Sequence, residues 1–196
     1  IQNVAGGKGG AIHVSGPQTA IKITDSTFRG NHASAGGAVS VESSAALQMY
    51  HTSSINNLVS NGGDGGFLFA RLASPLLLQD VHIDASKTDD AGGGGAIAVY
   101  ASRIMLDGIS LENCQAGSRG GAGILLDDGT EAHLMDSRLV SNEVKSGGSG
   151  GHVRVVASSF VVHGKNVQLE WPSQDPIFPS PVIIRSTKSN FMSHGV

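Results

Sequence analysis

A Gly-Gly pair that leads into an apolar segment recurs six times along this chain, and the spacing of the copies limits the possible folds more than any other feature. The copies are Gly9-Gly10-Ala11-Ile12, Gly36-Gly37-Ala38-Val39, Gly65-Gly66-Phe67-Leu68, Gly94-Gly95-Ala96-Ile97, Gly120-Gly121-Ala122-Gly123 and Gly150-Gly151-His152-Val153. Successive second glycines are 26 to 30 residues apart, about 28 on average. A near-constant period of this size is typical of a solenoid, in which each repeat packs only on its neighbours.

Two further apolar segments follow each Gly-Gly pair. The second segments include Ala20-Ile21-Lys22-Ile23, Pro75-Leu76-Leu77-Leu78 and Arg103-Ile104-Met105-Leu106. The third segments share one column, made of Phe28, Leu58, Ile83, Leu111, Leu139 and Val167. Three strands with their turns fill about 28 residues, too few for a four-stranded propeller blade, and no helical period of useful length intervenes. The sequence therefore predicts three short strands per coil.

Stacked coils place equivalent residues of successive repeats above one another, and alternate residues of each strand point inward. The inner rows predicted for the first strand are Ile12, Val39, Leu68, Ile97, Gly123 and Val153, and Val14, Val41, Ala70, Val99, Leu125 and Val155. The second strand adds Ile21, Leu76, Ile104 and Phe160, and Ile23, Leu78, Leu106, Leu134 and Val162, with a local insertion in coil two. We therefore expect an all-β, right-handed parallel β-helix of about six coils over residues 1–170.

Several polar and small residues are expected to support this fold rather than to bind ligands. The 28 glycines serve tight corners between sheets and close approach of stacked coils. Three residues beyond the third-strand column lies a predicted corner ladder of side-chain hydrogen bonds, made of Asn31, Asn61, Ser86, Cys114 and Asn142.

The last segment, residues 171–196, breaks the period and is predicted to be a cap, a linker or a crossover. It contains Pro172, Pro176, Pro179 and Pro181, and its Pro-Val-Ile-Ile-Arg run at 181–185 fits one more edge strand. Because caps for the strand edges are missing at both ends, the chain is expected to be part of a longer protein.

The repeat resembles that of the polymorphic outer membrane proteins of chlamydiae, in which Gly-Gly-Ala-Ile and Phe-x-x-Asn motifs alternate. Gly9-Gly10-Ala11-Ile12 and Gly94-Gly95-Ala96-Ile97 match the first motif, and Phe28-Arg29-Gly30-Asn31 matches the second. Leu58-Val59-Ser60-Asn61 and Leu139-Val140-Ser141-Asn142 are relaxed versions. The resemblance covers residues 1 to about 170 and implies a parallel β-helix displayed at a cell surface, with adhesion as its usual role.

Composition argues against several other classes of protein. A net charge of −3 without a Lys/Arg cluster gives no electrostatic basis for nucleic-acid binding. Cys114 is the single cysteine, and the eight histidines form no ligand-spaced cluster, so neither a metal nor a cofactor is expected. No apolar run is long enough to insert in a membrane as a helix, and no small-molecule substrate is expected.

The leading enzymatic alternative is a polysaccharide lyase or glycoside hydrolase acting along one face, which requires paired carboxylates or an acidic calcium site. The predicted outward column of the first strand, His13, Ser40, Phe69, Ala98, Ile124 and Arg154, contains no carboxylate. The outward column predicted for the third strand, Thr27, Asn57, His82, Ser110, Arg138 and Asn166, contains none either. Asp25, Asp80 and Asp136 share a corner column, but Ile55 and Gly108 separate them. No catalytic residue is therefore assigned.

Apolar residues at outward positions are the more informative feature. The candidates for a partner surface are Phe69, Ala98, Ile124, Leu77, Met105 and Val161. Contiguous exposed apolar surface commonly marks an interaction site. The alternatives are a loop or chain tail folded over these residues, or a shifted register.

These observations favour a non-catalytic structural or adhesion module of a large extracellular or cell-surface protein, such as a building block of a surface appendage or filament. Its expected partners are other protein chains or neighbouring domains of the same protein. The enzyme is the second hypothesis. Ice binding is a third and weaker one, because the chain lacks regular Thr-x-Thr ranks.

Overall fold

The computed structural model describes residues 2–145, 147–163 and 166–170, together with the backbone of Val182–Arg185 and Asn190–His194. These residues form strands and turns and contain no helix. The first ten strands are β1 Ile12–Ser15, β2 Ala20–Thr24, β3 Thr27–Arg29, β4 His32–Ala33, β5 Val39–Glu42, β6 Ala46–Ile55, β7 Leu58–Val59, β8 Leu68–Arg71, β9 Leu76–Asp84 and β10 Lys87–Thr88. The remaining strands are β11 Ile97–Tyr100, β12 Arg103–Asp107, β13 Ser110–Glu112, β14 Gln115–Ala116, β15 Ile124–Asp127, β16 Glu131–Met135, β17 Arg138–Val140, β18 Glu143–Val144, β19 Val153–Val156, β20 Ser159–His163, β21 Gln168–Glu170, β22 Val182–Arg185 and β23 Asn190–His194.

Every ladder between these strands is parallel, so the described chain winds as a β-solenoid of about six coils, as predicted. The first sheet has seven strands in the order β1-β5-β8-β11-β15-β19-β22. A bent sheet has eleven strands, and a short sheet has the order β18-β14-β10-β7-β4. The short sheet, with two residues per strand, is an addition to the three strands predicted for each coil.

The bent sheet combines the predicted second and third strands. In coils two and three a single long strand, β6 or β9, runs through both positions, and in the other coils two separate strands occupy them. His51 in β6 and Asp80 in β9 make the turn with positive φ values of 47° and 53°. We call the part before this turn the first limb and the part after it the second limb.

The inner row predicted for the first sheet is wrong by one residue in coil five. The observed row is Ile12, Val39, Leu68, Ile97, Ile124 and Val153. In coil five Ile124 therefore occupies the place predicted for Gly123, and Leu126 that of Leu125. The glycine equivalent to Gly94 is Gly121, with a φ of +65°, and Gly120 lies in register with Gly93, so Ala122 takes the place of the second glycine of the repeat. Since side chains alternate, a slip of one residue exchanges the inner and outer faces.

The inner rows of the first limb are confirmed. Ile21 pairs with Leu47, which pairs with Leu76, and the next row likewise contains Met49 between Ile23 and Leu78. Leu47 and Met49, both fully buried, fill coil two, where the sequence pattern needed an insertion.

The third-strand column is wrong in two coils. Phe28 pairs with Ser54, and Ser54 pairs with Ile83, so Ser54 replaces Leu58. In coil six Leu169, not Val167, pairs with Leu139. Leu58 lies instead in β7 of the short sheet and is 40% exposed. Ser54 is a polar residue at a core position, so a search for apolar residues does not align it with Phe28 and Ile83.

The connections from the first sheet to the bent sheet differ in length between coils. Four residues, 72–75, connect β8 to β9, two connect β11 to β12, and three connect β15 to β16. The short connection of coil four recedes between its neighbours and leaves an open groove. It is lined by Ala73, Pro75, Ala101, Ser102, Arg103, Gly129 and Glu131.

Part of the predicted tail continues the solenoid. The backbone of β22 pairs with β19, which is the edge strand expected at 181–185, and β23 pairs with β20. The prediction that residues 171–196 act as a cap, linker or crossover otherwise lies outside the described residues.

Candidate interaction surface

The outer side of the first sheet was predicted to expose apolar residues, and this prediction is wrong. Phe69 is 7% exposed and Ala98 is fully buried. Ile124 points into the interior, and its outward neighbour Leu125 is 2% exposed. Phe69, Ala98 and Leu125 form a second apolar cluster with Ala35, separate from the interior core. We call these four residues the outer strip.

Loops that precede the first-sheet strands cover the outer strip, which was one of the two alternatives. A Cβ atom built on Gly94 lies 2.8 Å from Cβ of Ala98, and one on Gly93 lies 2.7 Å from Cδ2 of Leu125. Only glycine allows the loop backbone to come so close to these side chains.

Asp64 ties these loops together. Its Oδ1 accepts a hydrogen bond from the backbone N–H of Gly93 at 2.7 Å, and its Oδ2 accepts bonds from the Tyr100 hydroxyl at 2.6 Å and Arg119 Nη1 at 2.7 Å. Burial raises the pKa of Asp64 above its usual range, although the bonds from Tyr100, Arg119 and Gly93 oppose the rise. Burial and the Asp64 charge also raise the pKa of Tyr100.

Cations flank the aromatic part of this region. The rings of Phe69 and Tyr100 are 5.7 Å apart. Lys8 Nζ lies 5.5 Å from the Phe69 ring and 2.6 Å from Glu42 Oε1, while the Arg119 guanidinium lies 5.8 Å from the Tyr100 ring. This edge of the first sheet is therefore closed by cation–π contacts and ion pairs.

The first limb of the bent sheet is where predicted partner residues do reach solvent. Met105 is 44% exposed, and Leu77, its register neighbour, is half-buried. Val161 is 6% exposed, so its predicted exposure is wrong; its neighbour in the ladder is β23. The apolar surface that remains is small and centred on Met105.

Charged and imidazole side chains border Met105. Arg103 donates two hydrogen bonds to Oε2 of Glu131, at 3.0 and 2.7 Å. His133 Nε2 lies 3.0 Å from Glu131 Oε1, and its Nδ1 lies 2.9 Å from Nε2 of His163, whose ring stacks on it. The hydrogen bonds from His133 and Arg103 lower the pKa of Glu131.

The second limb carries a column of carboxylates that the sequence pattern missed. Glu112 pairs in register with Asp84, and Glu170 lies two coils beyond Glu112. Glu112 accepts bonds from Ser110 and from Arg138, which also reaches Glu170. The outward column predicted here contained the residue before each inner position, such as His82 and Ser110, whereas these acids follow the inner position.

At the turn between the two limbs, a histidine lies between two aspartates, which the sequence pattern did not predict. His51, not Ile55, stands between Asp25 and Asp80 in the corner column. Its Nδ1 lies 3.8 Å from Asp25 and its Nε2 lies 3.5 Å from Asp80. All three side chains are more than half exposed.

The predicted corner ladder is present with one substitution. Asn57, not Asn61, lies in it: Asn57 Oδ1 accepts bonds from both the backbone and the side chain of Asn31. Asn3 donates to Asn31 Oδ1, which extends the ladder. Asn61 is exposed in a turn with a φ of +63°.

Ser86, Cys114 and Asn142 lie at the other end of the ladder, but among the described residues the Ser86 hydroxyl forms no hydrogen bond, so its predicted part in the ladder is wrong. Asn142 accepts a bond from the Cys114 backbone and donates to the Leu111 carbonyl. Burial raises the pKa of Cys114 to about 12. Burial lowers the pKa of the neighbouring His152 imidazole to about 4. These side chains hold the coils together and face no solvent.

Within the described part of the chain, no three His, Cys, Asp or Glu side chains come together in a group able to hold a metal ion. The same residues include no helix of the length and apolarity needed to cross a bilayer.

Comparison with known proteins gives one match. Residues 10–169 match the family model described as "Right handed beta helix region". No curated protein and no solved structure gives a significant match.

Proposed function

The chain belongs to the right-handed β-helix family, and on that premise we propose that it is a non-catalytic structural or adhesion module of a large extracellular or cell-surface protein. The family is compatible with this role and with polysaccharide cleavage, so the choice depends on the outer faces of the solenoid.

One observation carries the proposal: six acidic side chains of the strands and the loops between them are engaged by basic or amide groups of other coils. The engaged acids are Glu42 with Lys8, Asp64 with Arg119, Asp84 with Asn113, Glu112 and Glu170 with Arg138, and Glu131 with Arg103. A general acid or base needs a pair of carboxylates facing an open space for substrate. Bonds between coils favour a stabilising role instead.

The exposed surface also supports a module that binds other proteins. Met105 and Leu77 form a small apolar patch on the first limb, and the charged pair Arg103 and Glu131 borders it. An apolar centre with a polar rim is the usual anatomy of a protein interface. The resemblance to the polymorphic outer membrane protein repeat adds a reason to place such a module at a cell surface.

The alternative, a polysaccharide lyase or glycoside hydrolase, is supported by the direct register of Asp84 and Glu112 on the second limb. A panel of neutral and uronate-containing polysaccharides, assayed for new reducing ends and for unsaturated uronates, separates the two functions. We expect no cleavage. Cleavage that disappears in the double variant Asp84→Asn and Glu112→Gln, but persists in Asp25→Asn, would replace the proposal with the enzyme.

Site-directed cross-linking tests the partner surface. Cysteine at Met105, carrying a thiol-linked photoreactive group, is expected to capture a neighbouring protein when the chain is in its natural assembly. Cys114 does not compete for the reagent, because it is buried and its pKa is raised to about 12. His13→Cys on the exposed edge of the first sheet is the matched control. Equal capture, or none, at the two positions would contradict a partner surface centred on Met105.

A further inference from the structure

The outer strip of Ala35, Phe69, Ala98 and Leu125 is buried although it lies outside the solenoid. Its strand residues remain in the first-sheet ladder, where Ala98 pairs with Phe69 on one side and Leu125 on the other. The strip belongs to a cluster distinct from the interior core. Its exposure therefore does not require the coils to unwind.

Turns that lead into the first sheet lie against the strip: a Cβ atom built on Gly36, before β5, lies 3.1 Å from Cβ of Phe69, and the turn before β11 approaches Ala98 and Leu125. We call residues 60–65, 89–94 and 117–121 the corner loops. The second of these lies directly on the strip, through Gly94 against Ala98 and Gly93 against Leu125. The loops have little apolar surface of their own, so polar contacts must hold them in place.

Backbone hydrogen bonds, such as those from Gly65 to Gly93 and from Gly94 to Gly120, join the loops, and Asp64 adds side-chain contacts from one position. It lies in the first corner loop, and its three bonds reach Gly93 in the second loop, Tyr100 at the end of β11 and Arg119 in the third loop. One carboxylate thus connects three successive coils. The Arg119 and Asp64 charges are 55 residues apart in sequence.

The two charged partners differ in their access to water. The Arg119 side chain is 45% exposed, whereas that of Asp64 is 6% exposed. Arg119 can therefore leave for solvent at little cost, but Asp64 then remains as a buried charge with fewer donors, which is unfavourable. The three donors therefore compensate the burial of the Asp64 charge only when they act together.

We propose that Asp64 is a latch that holds the corner loops over the outer strip, and that its release exposes Phe69, Ala98 and Leu125 while the parallel ladders stay intact. The device converts a closed outer face into an apolar one. It does not depend on the proposed function, because it concerns the accessibility of this face and not what binds there.

Hydrogen exchange of the Asp64→Asn variant tests the latch. The amide keeps the size of the side chain but removes the charge that Arg119 pairs with. We expect exchange in the corner loops to become roughly tenfold faster, as for the loss of one charge-assisted hydrogen bond, while exchange in β11 and β15 is unchanged. Binding of a dye that fluoresces on apolar surfaces should increase in parallel.

Asp89→Asn is the matched control. Asp89 also lies in a corner loop and accepts hydrogen bonds from two backbone N–H groups, those of Gly62 and Ala91, but it pairs with no arginine at the strip. Its variant should leave dye binding at the wild-type level. Unchanged loop exchange in Asp64→Asn, or equal acceleration in β11 and β15, would overturn the proposal.

Arg119→Gln provides a second route, since a half-exposed side chain can be changed without loss of the fold. It should accelerate exchange in the corner loops, and the double variant should add nothing to Asp64→Asn alone. If Asp64→Asn fails to fold, Arg119→Gln provides the test. Exchange in its corner loops at the wild-type rate would exclude the latch.

Discussion

At the scale of single residues, His152 is a neutral imidazole inside the solenoid. It lies beside Asn142, whose side-chain nitrogen is 3.2 Å from His152 Nδ1. Burial lowers its pKa from 6.5 to about 4 in the folded chain. Between these values the unfolded chain binds a proton that the folded chain does not, so acid favours unfolding through this residue.

We therefore expect the His152 contribution to stability to be fully present above pH 6.5 and to be lost as the pH decreases from 6.5 towards 4. The His152 contribution to the loss is about 3 kcal/mol. Denaturant unfolding across this range, compared between the wild type and His152→Gln, measures it. The variant should show a shallower dependence on pH; parallel curves would mean that other groups cause the effect.

The inward position of Ile124 in coil five leads to a second prediction at this scale. Ile124 is fully buried, so Ile124→Ala should lower the free energy of unfolding by about 2–4 kcal/mol. Met105→Ala removes a side chain that is 44% exposed and should cost less than about 1 kcal/mol. Chemical denaturation measures both. Equal losses of unfolding free energy in the two variants would indicate that Ile124 lies on the outer face.

At the scale of elements, the corner ladder joins coils through side chains where the strands turn. Asn57 bonds to Asn31, to the Phe28 carbonyl and to Ser54. A buried amide that satisfies several groups at once is costly to remove, because its former partners are left without hydrogen bonds.

Asn57→Ala should therefore destabilise the chain by about 3 kcal/mol. Asn61→Gly should change stability by less than about 0.5 kcal/mol, since Asn61 is exposed and glycine accepts its positive φ. Thermal or denaturant melts of the two variants provide the comparison. If Asn61→Gly lost more stability than Asn57→Ala, Asn61 would be the ladder residue, as the sequence pattern predicted.

The same elements show how far sequence reasoning reaches. Apolar alternation correctly placed Ile12, Val39, Leu68 and Ile97 in one inner row, because the dry interior permits only such residues there. It failed at Ser54, a polar residue that is accepted in the core because Asn57 bonds to its hydroxyl. It failed again in coil five, where the Gly-Gly pair at 120–121 lies one residue earlier than in the other coils.

The outer surface was less predictable than the core. Alternation showed that Phe69 points away from the interior, but not that Gly36 and the Tyr100 ring pack against it. That cover depends on Asp64 and Arg119, which are distant in sequence and share no motif. Contacts of this kind follow from the assembled fold and leave no periodic signal.

At the scale of the whole molecule, each coil contacts mainly the coils before and after it. Stability in such a solenoid is a sum of coil and interface contributions, so the central coils should open last. In β1, Ile12 is partly exposed, whereas Leu68 and Ile97, further along the same inner row, are fully buried.

We expect amide exchange in β8 and β11 to be slower than in β1 by about tenfold or more under native conditions. Mass spectrometry of peptides from each coil measures the gradient. Equal protection in all three strands would indicate a single cooperative unit instead of a one-dimensional array.

The unequal connections between the first sheet and the bent sheet have a consequence for how such a molecule evolves. Residues 72–75 form a connection twice as long as the one after β11, yet β8 and β11 remain paired in register. Insertions at this edge therefore alter the outline of the protein without disturbing its interior. The connection at residues 72–75 should therefore tolerate both natural insertions and a grafted epitope.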